Sequence, residues 1–109
     1  MAKQIKVTHN GEQYTLEYTR KTIEAMERGG FSISNVQTKP MSTLPALFAG
    51  AFLAHHRNVM QNKIDKIFAA QKNKEQLVEK LAEMYNEPIV SLLDDPEENE
   101  GNAEWETNW

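Results

Sequence analysis

Hydrophobic and polar positions alternate with a period of two on either side of Asn10-Gly11. That pair is favoured in a two-residue type I′ turn, because both central positions need positive φ. Pairing across the turn sets His9 opposite Glu12, Val7 opposite Tyr14 and Ile5 opposite Leu16. The apolar partners then share one face, while Gln4, Lys6 and Thr8 share the other with Gln13, Thr15 and Glu17. The pattern predicts a hairpin over residues 3–18 with one buried face. Two strands alone are marginal in water, so helices or another subunit must cover that face.

The period lengthens after Tyr18. Thr19 is placed as an N-cap, with Tyr18 and Ile23 at the spacing of a hydrophobic staple. A helix over 20–28 carries Ile23 and Met26 on its apolar stripe, and Gly29-Gly30 stops it. Phe31, Ile33 and Val36 alternate with polar neighbours, predicting an extended connection as far as Lys39-Pro40. Ser42 or Thr43 then caps a helix over 43–56 with Pro45 in its first turn. Leu44, Leu47, Phe48, Ala51, Phe52 and His55 trace its buried face. Ala46, Ala49, Gly50 and Ala54 leave room for a close neighbour, and Leu53 adds a second apolar side. This helix is therefore expected to be central, or shared with another subunit.

Met60, Ile64, Ile67 and Phe68 mark a helix over 58–71. Asn73 and Gln76 have the capping-box spacing ahead of a helix over 74–86, lined by Leu77, Leu81, Met84 and Tyr85. Pro88 is expected to kink or end it, leaving a short apolar turn over 88–93. The predicted fold class is α+β, mainly α. One compact domain over 1–93 holds the hairpin and four to five helices.

Charge divides the chain. Its 109 residues hold 12 Lys and Arg against 16 Asp and Glu, a formal −4. Seven of the acidic residues lie in 94–109 with no basic one, so the body is mildly basic at +3. Acidic tails are ordinarily solvated and flexible. This one holds Trp105 and Trp109, the only tryptophans in the protein. Acidic residues interleaved with aromatics read as a segment that orders against a partner, or folds back on the body. Without cysteine there is no disulfide, thiolate metal cage or thiol nucleophile. No apolar run approaches the roughly 20 residues of a membrane span, and the N-terminal stretch lacks a signal peptide's apolar core. The expected location is the cytoplasm.

Chemistry-bearing residues are sparse. Neighbouring helical residues point about 100° apart, so His55 and His56 cannot both face one ion, and no third ligand is signalled. Asp94-Asp95 and Glu97-Glu98 lack the rigid, partly buried setting that tunes a carboxyl for acid–base work. No Gly-x-Ser-x-Gly or phosphate loop occurs. The chain reads as a non-enzyme without cofactor or metal. Arg57, Lys63, Lys66, Lys72, Lys74 and Lys80 give the second half a basic bias, Arg20, Lys21 and Arg28 form a second cluster, and successive helices permit a helix-turn-helix by count. The acidic whole, with an isoelectric point near 5.4, argues against nucleic acid. Self-association is expected to cover the surplus apolar surface of residues 44–56.

Taken together, these segments resemble small tail assembly chaperones of long-tailed bacteriophages of Gram-positive bacteria. The likeness is carried by Tyr14-Thr-Leu-Glu-Tyr-Thr-Arg20, Ile23-Glu-Ala-Met26 and Gly30-Phe31-Ser-Ile33. It continues through Lys39-Pro-Met41, Leu47-Phe48-Ala-Gly50-Ala51-Phe52, Glu83-Met-Tyr85 and Glu104-Trp105-Glu106. The resemblance implies a non-catalytic role in virion morphogenesis: binding the tape measure protein, keeping its helical apolar segments soluble and recruiting tail tube subunits. A chaperone of that kind needs an apolar groove and a polar exterior. Leu44, Leu47, Phe48, Phe52, Met60, Ile64 and Phe68 are the candidate groove, with Trp105 and Trp109 as a placeholder or docking element. Two competing classes are a phage-encoded inhibitor of a host protein, using the acidic tail as bait, and a small DNA-binding regulator.

Overall fold

A computed structural model describes residues 3–94 and 105–109. Strands β1 (Ile5–His9) and β2 (Glu12–Leu16) pair antiparallel in the register the alternation predicts: Ile5 with Leu16, Val7 with Tyr14, His9 with Glu12. Asn10 and Gly11 both take positive φ, 51° and 80°, as the turn demands. Val7, Tyr14 and Leu16 are buried on one face.

Helix α1 (Arg20–Arg28) opens on a reciprocal cap, in which Thr19 Oγ1 accepts from the Thr22 N–H and Thr22 Oγ1 from the Thr19 N–H. It closes on Gly30 at φ 95°. The Phe31 N–H reaches the Met26 carbonyl and the Gly30 N–H that of Glu27, the paired bonds of a Schellman ending. The stretch expected to be extended holds a single 3-10 turn, Ile33–Val36. Ser32 and Ser34 hydrogen-bond to each other there, and local polar pairing of this kind competes with extended backbone.

Helix α2 (Pro40–Gly50) begins three residues before the expected start and ends six before the expected end. Pro40 takes N1, where a missing N–H costs nothing, and Lys39 rather than Ser42 or Thr43 stands at the cap. Pro45 consequently lies in the second turn rather than the first. Beyond Gly50 the chain tightens into successive turns, with N–H groups of Ala51, Phe52 and Leu53 bonded three residues back. A tightened coil keeps nearly the same side-chain spacing, so the apolar pattern runs on past the end of the α-helix.

Helix α3 (Gln61–Ala69) is shorter than the expected 58–71, starting after Met60 as N-cap. Lys74 Nζ donates to the Ala69 and Gln71 carbonyls at its end. Helix α4 (Lys74–Ser91) replaces the expected helix over 74–86 and the separate turn over 88–93, and it runs through Pro88. Pro88 lies within the last turn of α4, where it interrupts the ladder only at the end. Arg20 Nη2 covers the Ser91 carbonyl and Ser91 Oγ the Pro88 carbonyl. Asn73 adopts φ 55° and its side chain donates to Gln76 Oε1, so the expected capping box does not form.

The core lies between the hairpin and the four helices. Leu16, Leu47, Phe48, Phe52, Ile67, Leu81 and Met84 are fully buried in it. Tyr14, Phe52, Phe48 and Phe68 run through it as successive aromatic contacts, centroids 4.9–5.6 Å apart. No helix among the described residues is long and apolar enough to cross a membrane.

Candidate partner-binding surface

The histidines turn to separate partners. The Thr15 N–H donates to His56 Nε2 at 2.9 Å, which places the His56 ring hydrogen on Nδ1. His55 Nε2 faces Glu17 Oε1 at 2.6 Å and so carries its hydrogen there. On each ring the nitrogen that faces the protein is already used. Among the described residues no group of three or more His, Cys, Asp or Glu is placed to hold a metal. The His55 hydrogen bond, with a smaller contribution from Gln4, holds the Glu17 carboxyl below its ordinary range against the opposing effect of burial.

Basic residues of the second half are partly engaged. Lys63 Nζ lies 3.2 Å from Glu12 and over the Tyr14 ring, Lys74 caps α3, and Lys80 pairs with Glu83 at 3.6 Å. The Tyr14 and Glu12 contacts raise Lys63 above its ordinary value, and Lys63 chiefly lowers Glu12.

Of the seven groove candidates, Leu47, Phe48, Phe52 and Ile64 are buried in the molecule's own core. Leu44 and Phe68 are half-buried. Met60 is exposed at 72%. The reason is local: β2 closes over the end of α2. The Glu17 N–H bonds the Ala51 carbonyl at 3.0 Å, and the Tyr18 hydroxyl donates to the Leu47 carbonyl. Leu47, Phe48, Ala51 and Phe52 are thus covered within one chain, while Leu44 and Leu53 stay half-buried. Trp105 and Trp109 are exposed and neither is seated on the body. Asp95, Glu97, Glu98, Glu100 and Glu104 of the acidic tail lie outside the described residues.

The uncovered apolar surface lies elsewhere, on α4. Leu81, Met84 and Tyr85 are buried and Leu77 packs against the core, as expected. A second stripe runs beside them at i, i+4, i+7, i+11 and i+14: Val78, Ala82, Tyr85, Ile89 and Leu92. It forms the floor of three connected depressions. The first lies against Ile33 and Val36, the second is shared by Ile33, Tyr85 and Ile89, and the third runs between Ile23, Pro88 and Leu92. Ala82 and Ile89 are common to successive depressions, so they make one trough. Ile89 is 40% exposed and Leu92 58%, with Val90 and Leu93 exposed beside them. Burial, and secondarily the nearby Glu27, pushes the Tyr85 hydroxyl up, so it stays neutral in the trough floor. Sequence reasoning missed this face because it divided α4 at Pro88. The spacing itself was present for a helix carried through.

A family model described as Domain of unknown function (DUF5055) matches residues 1–109. No curated protein and no solved structure matches the chain.

Proposed function

We propose that this chain, which belongs to the Domain of unknown function (DUF5055) family, is a non-catalytic tail assembly chaperone of a long-tailed bacteriophage. Its clients in this reading are the tape measure protein and the tail tube subunits, and its place of work is the host cytoplasm. The single observation that carries the reading is the trough along α4, whose apolar floor is exposed at Ile89 and Leu92. Grooves of this form receive one face of an amphipathic helix. A helical client held there keeps its own apolar stripe out of water until assembly. The sequence resemblance supplies the identity of the client, and the trough supplies the means.

The test is co-expression of the tagged full chain with the genes that flank its own, followed by mass spectrometry and light scattering of what it retains. Recovery of a long helix-rich tape measure protein, or of a tube subunit, is the expected result. Its loss from the double variant Ile89→Ser, Leu92→Ser would tie it to the trough. Recovery of duplex DNA or a single host enzyme instead would overturn the reading.

A further inference from the structure

We infer that the occupant of the α4 trough is a basic amphipathic helix of a partner protein, an inference that rests on the trough being the binding face. Length comes first. Val78 and Leu92 are separated by ~21 Å at 1.5 Å rise per residue, which accommodates about four helical turns.

Charge chooses among occupants. Glu24 and Glu27 line one wall of the trough, and Glu79 and Glu83 the other. Among the described residues Arg20 is the one cation lining it, and its guanidinium is engaged with the Ser91 carbonyl. Glu24 pairs with Arg28 and Glu83 with Lys80 across exposed surface, where such pairs are weak and exchangeable. Glu27 and Glu79 make no ion pair among the described residues. Glu24, Glu27, Glu79 and Glu83 together give the rim of the trough a negative field.

Three occupants compete for this face. A second copy laid on it would bring Glu79 and Glu83 against the same residues. The chain's own tail would bring carboxylates against Glu24 and Glu27. A helix with an apolar stripe flanked by Lys or Arg meets the floor with apolar contact and the rim with opposite charge. The partner is thus of the third kind.

Two labelled peptides of about 16 residues, sharing one leucine stripe at helical spacing, test this against the full-length protein by fluorescence anisotropy. One carries Lys at the flanking positions and the other Glu. The Lys peptide is expected to bind with Kd of about 10 µM, and the Glu peptide at least about tenfold more weakly. Raising ionic strength from about 0.05 to 0.5 M should narrow that difference. Ile89→Ser with Leu92→Ser is expected to weaken the Lys peptide about tenfold. Glu27→Lys with Glu79→Lys, at exposed positions that leave the core intact, should reverse the preference between peptides. Melting curves identify any variant that has lost its fold. Equal binding of both peptides, binding of neither, or a dimer that forms through this face and excludes the Lys peptide would overturn the inference. Should the flanking-gene client still be retained, and lost on Ile89→Ser with Leu92→Ser, the chaperone reading stands and only the client's charge is wrong. If that client is not retained either, both fall.

Discussion

Tyr18 does at residue scale what the whole hairpin does for the fold: it closes the end of α2. Its hydroxyl donates to the Leu47 carbonyl, one of the last-turn carbonyls that an α-helix leaves without an internal partner. Burial pushes that hydroxyl's pKa well up, so it remains a donor at every practical pH. Tyr18→Phe keeps the ring and removes the donor. We expect a loss of about 1–2 kcal/mol in urea unfolding, with the denaturant slope unchanged. The neighbouring Glu17 makes stability depend on acid. Its folded-state pKa lies below the ordinary 4.5 because His55 hydrogen-bonds the carboxylate. The unfolded chain therefore takes up this proton first as pH falls. The pair's contribution is whole above the ordinary value and is lost as pH drops through the depressed one. Glu17→Gln should flatten the fall in melting temperature between about pH 5 and 3. A variant that tracks the parent across that range would show that the pair contributes nothing.

At the scale of elements, close approach of α1 and α2 depends on a missing side chain. A Cβ built on Gly50 would lie 2.3 Å from Met26 Cε and 2.4 Å from Sδ, inside any real contact. Gly50→Ala must displace the Met26 side chain, and Met26→Ala empties that space. We expect the two costs to be less than additive, with a coupling of about 0.5–2 kcal/mol in a double-mutant cycle. Full additivity would mean that the helices simply move apart.

The elements also show how much was legible in the chain. The hairpin, its register and α1 were readable because Asn10-Gly11, Thr19 and Gly29-Gly30 act locally. Each supplies a backbone conformation or a hydrogen bond to its own neighbours. The bounds of α2 and the unity of α4 were not. Gly50 and Pro88 each permit either outcome, and tertiary contacts decide: the Glu17 N–H takes the Ala51 carbonyl, and Arg20 takes that of Ser91. The candidate site suffered from the same cause. Leu47, Phe48, Phe52 and Ile64 have the spacing of a groove, yet spacing cannot say whether a strand closes over it. Val78, Ala82, Tyr85, Ile89 and Leu92 line up only when the helix is continuous.

For the whole molecule, an apolar trough and an acidic rim coincide on one side. Leu81, Met84 and Tyr85 of α4 are buried in the core, while Ile89 and Leu92 are exposed and, in the proposed reading, serve binding. Changes in the two stripes should therefore separate cleanly. Leu81→Ala is expected to lower stability by about 2–4 kcal/mol, as for other fully buried leucines. Leu92→Ser should leave the melting temperature within about 2 °C, since surface changes of about 0.5 kcal/mol or less move it little, yet weaken client retention. The most direct test of the central claim is hydrogen exchange of the full chain, free and with its retained client, read peptide by peptide. New protection concentrated over residues 78–92, with residues 44–68 unchanged, is the result this account requires. Protection gathered instead around Met60 and α3, or none on α4, would contradict it.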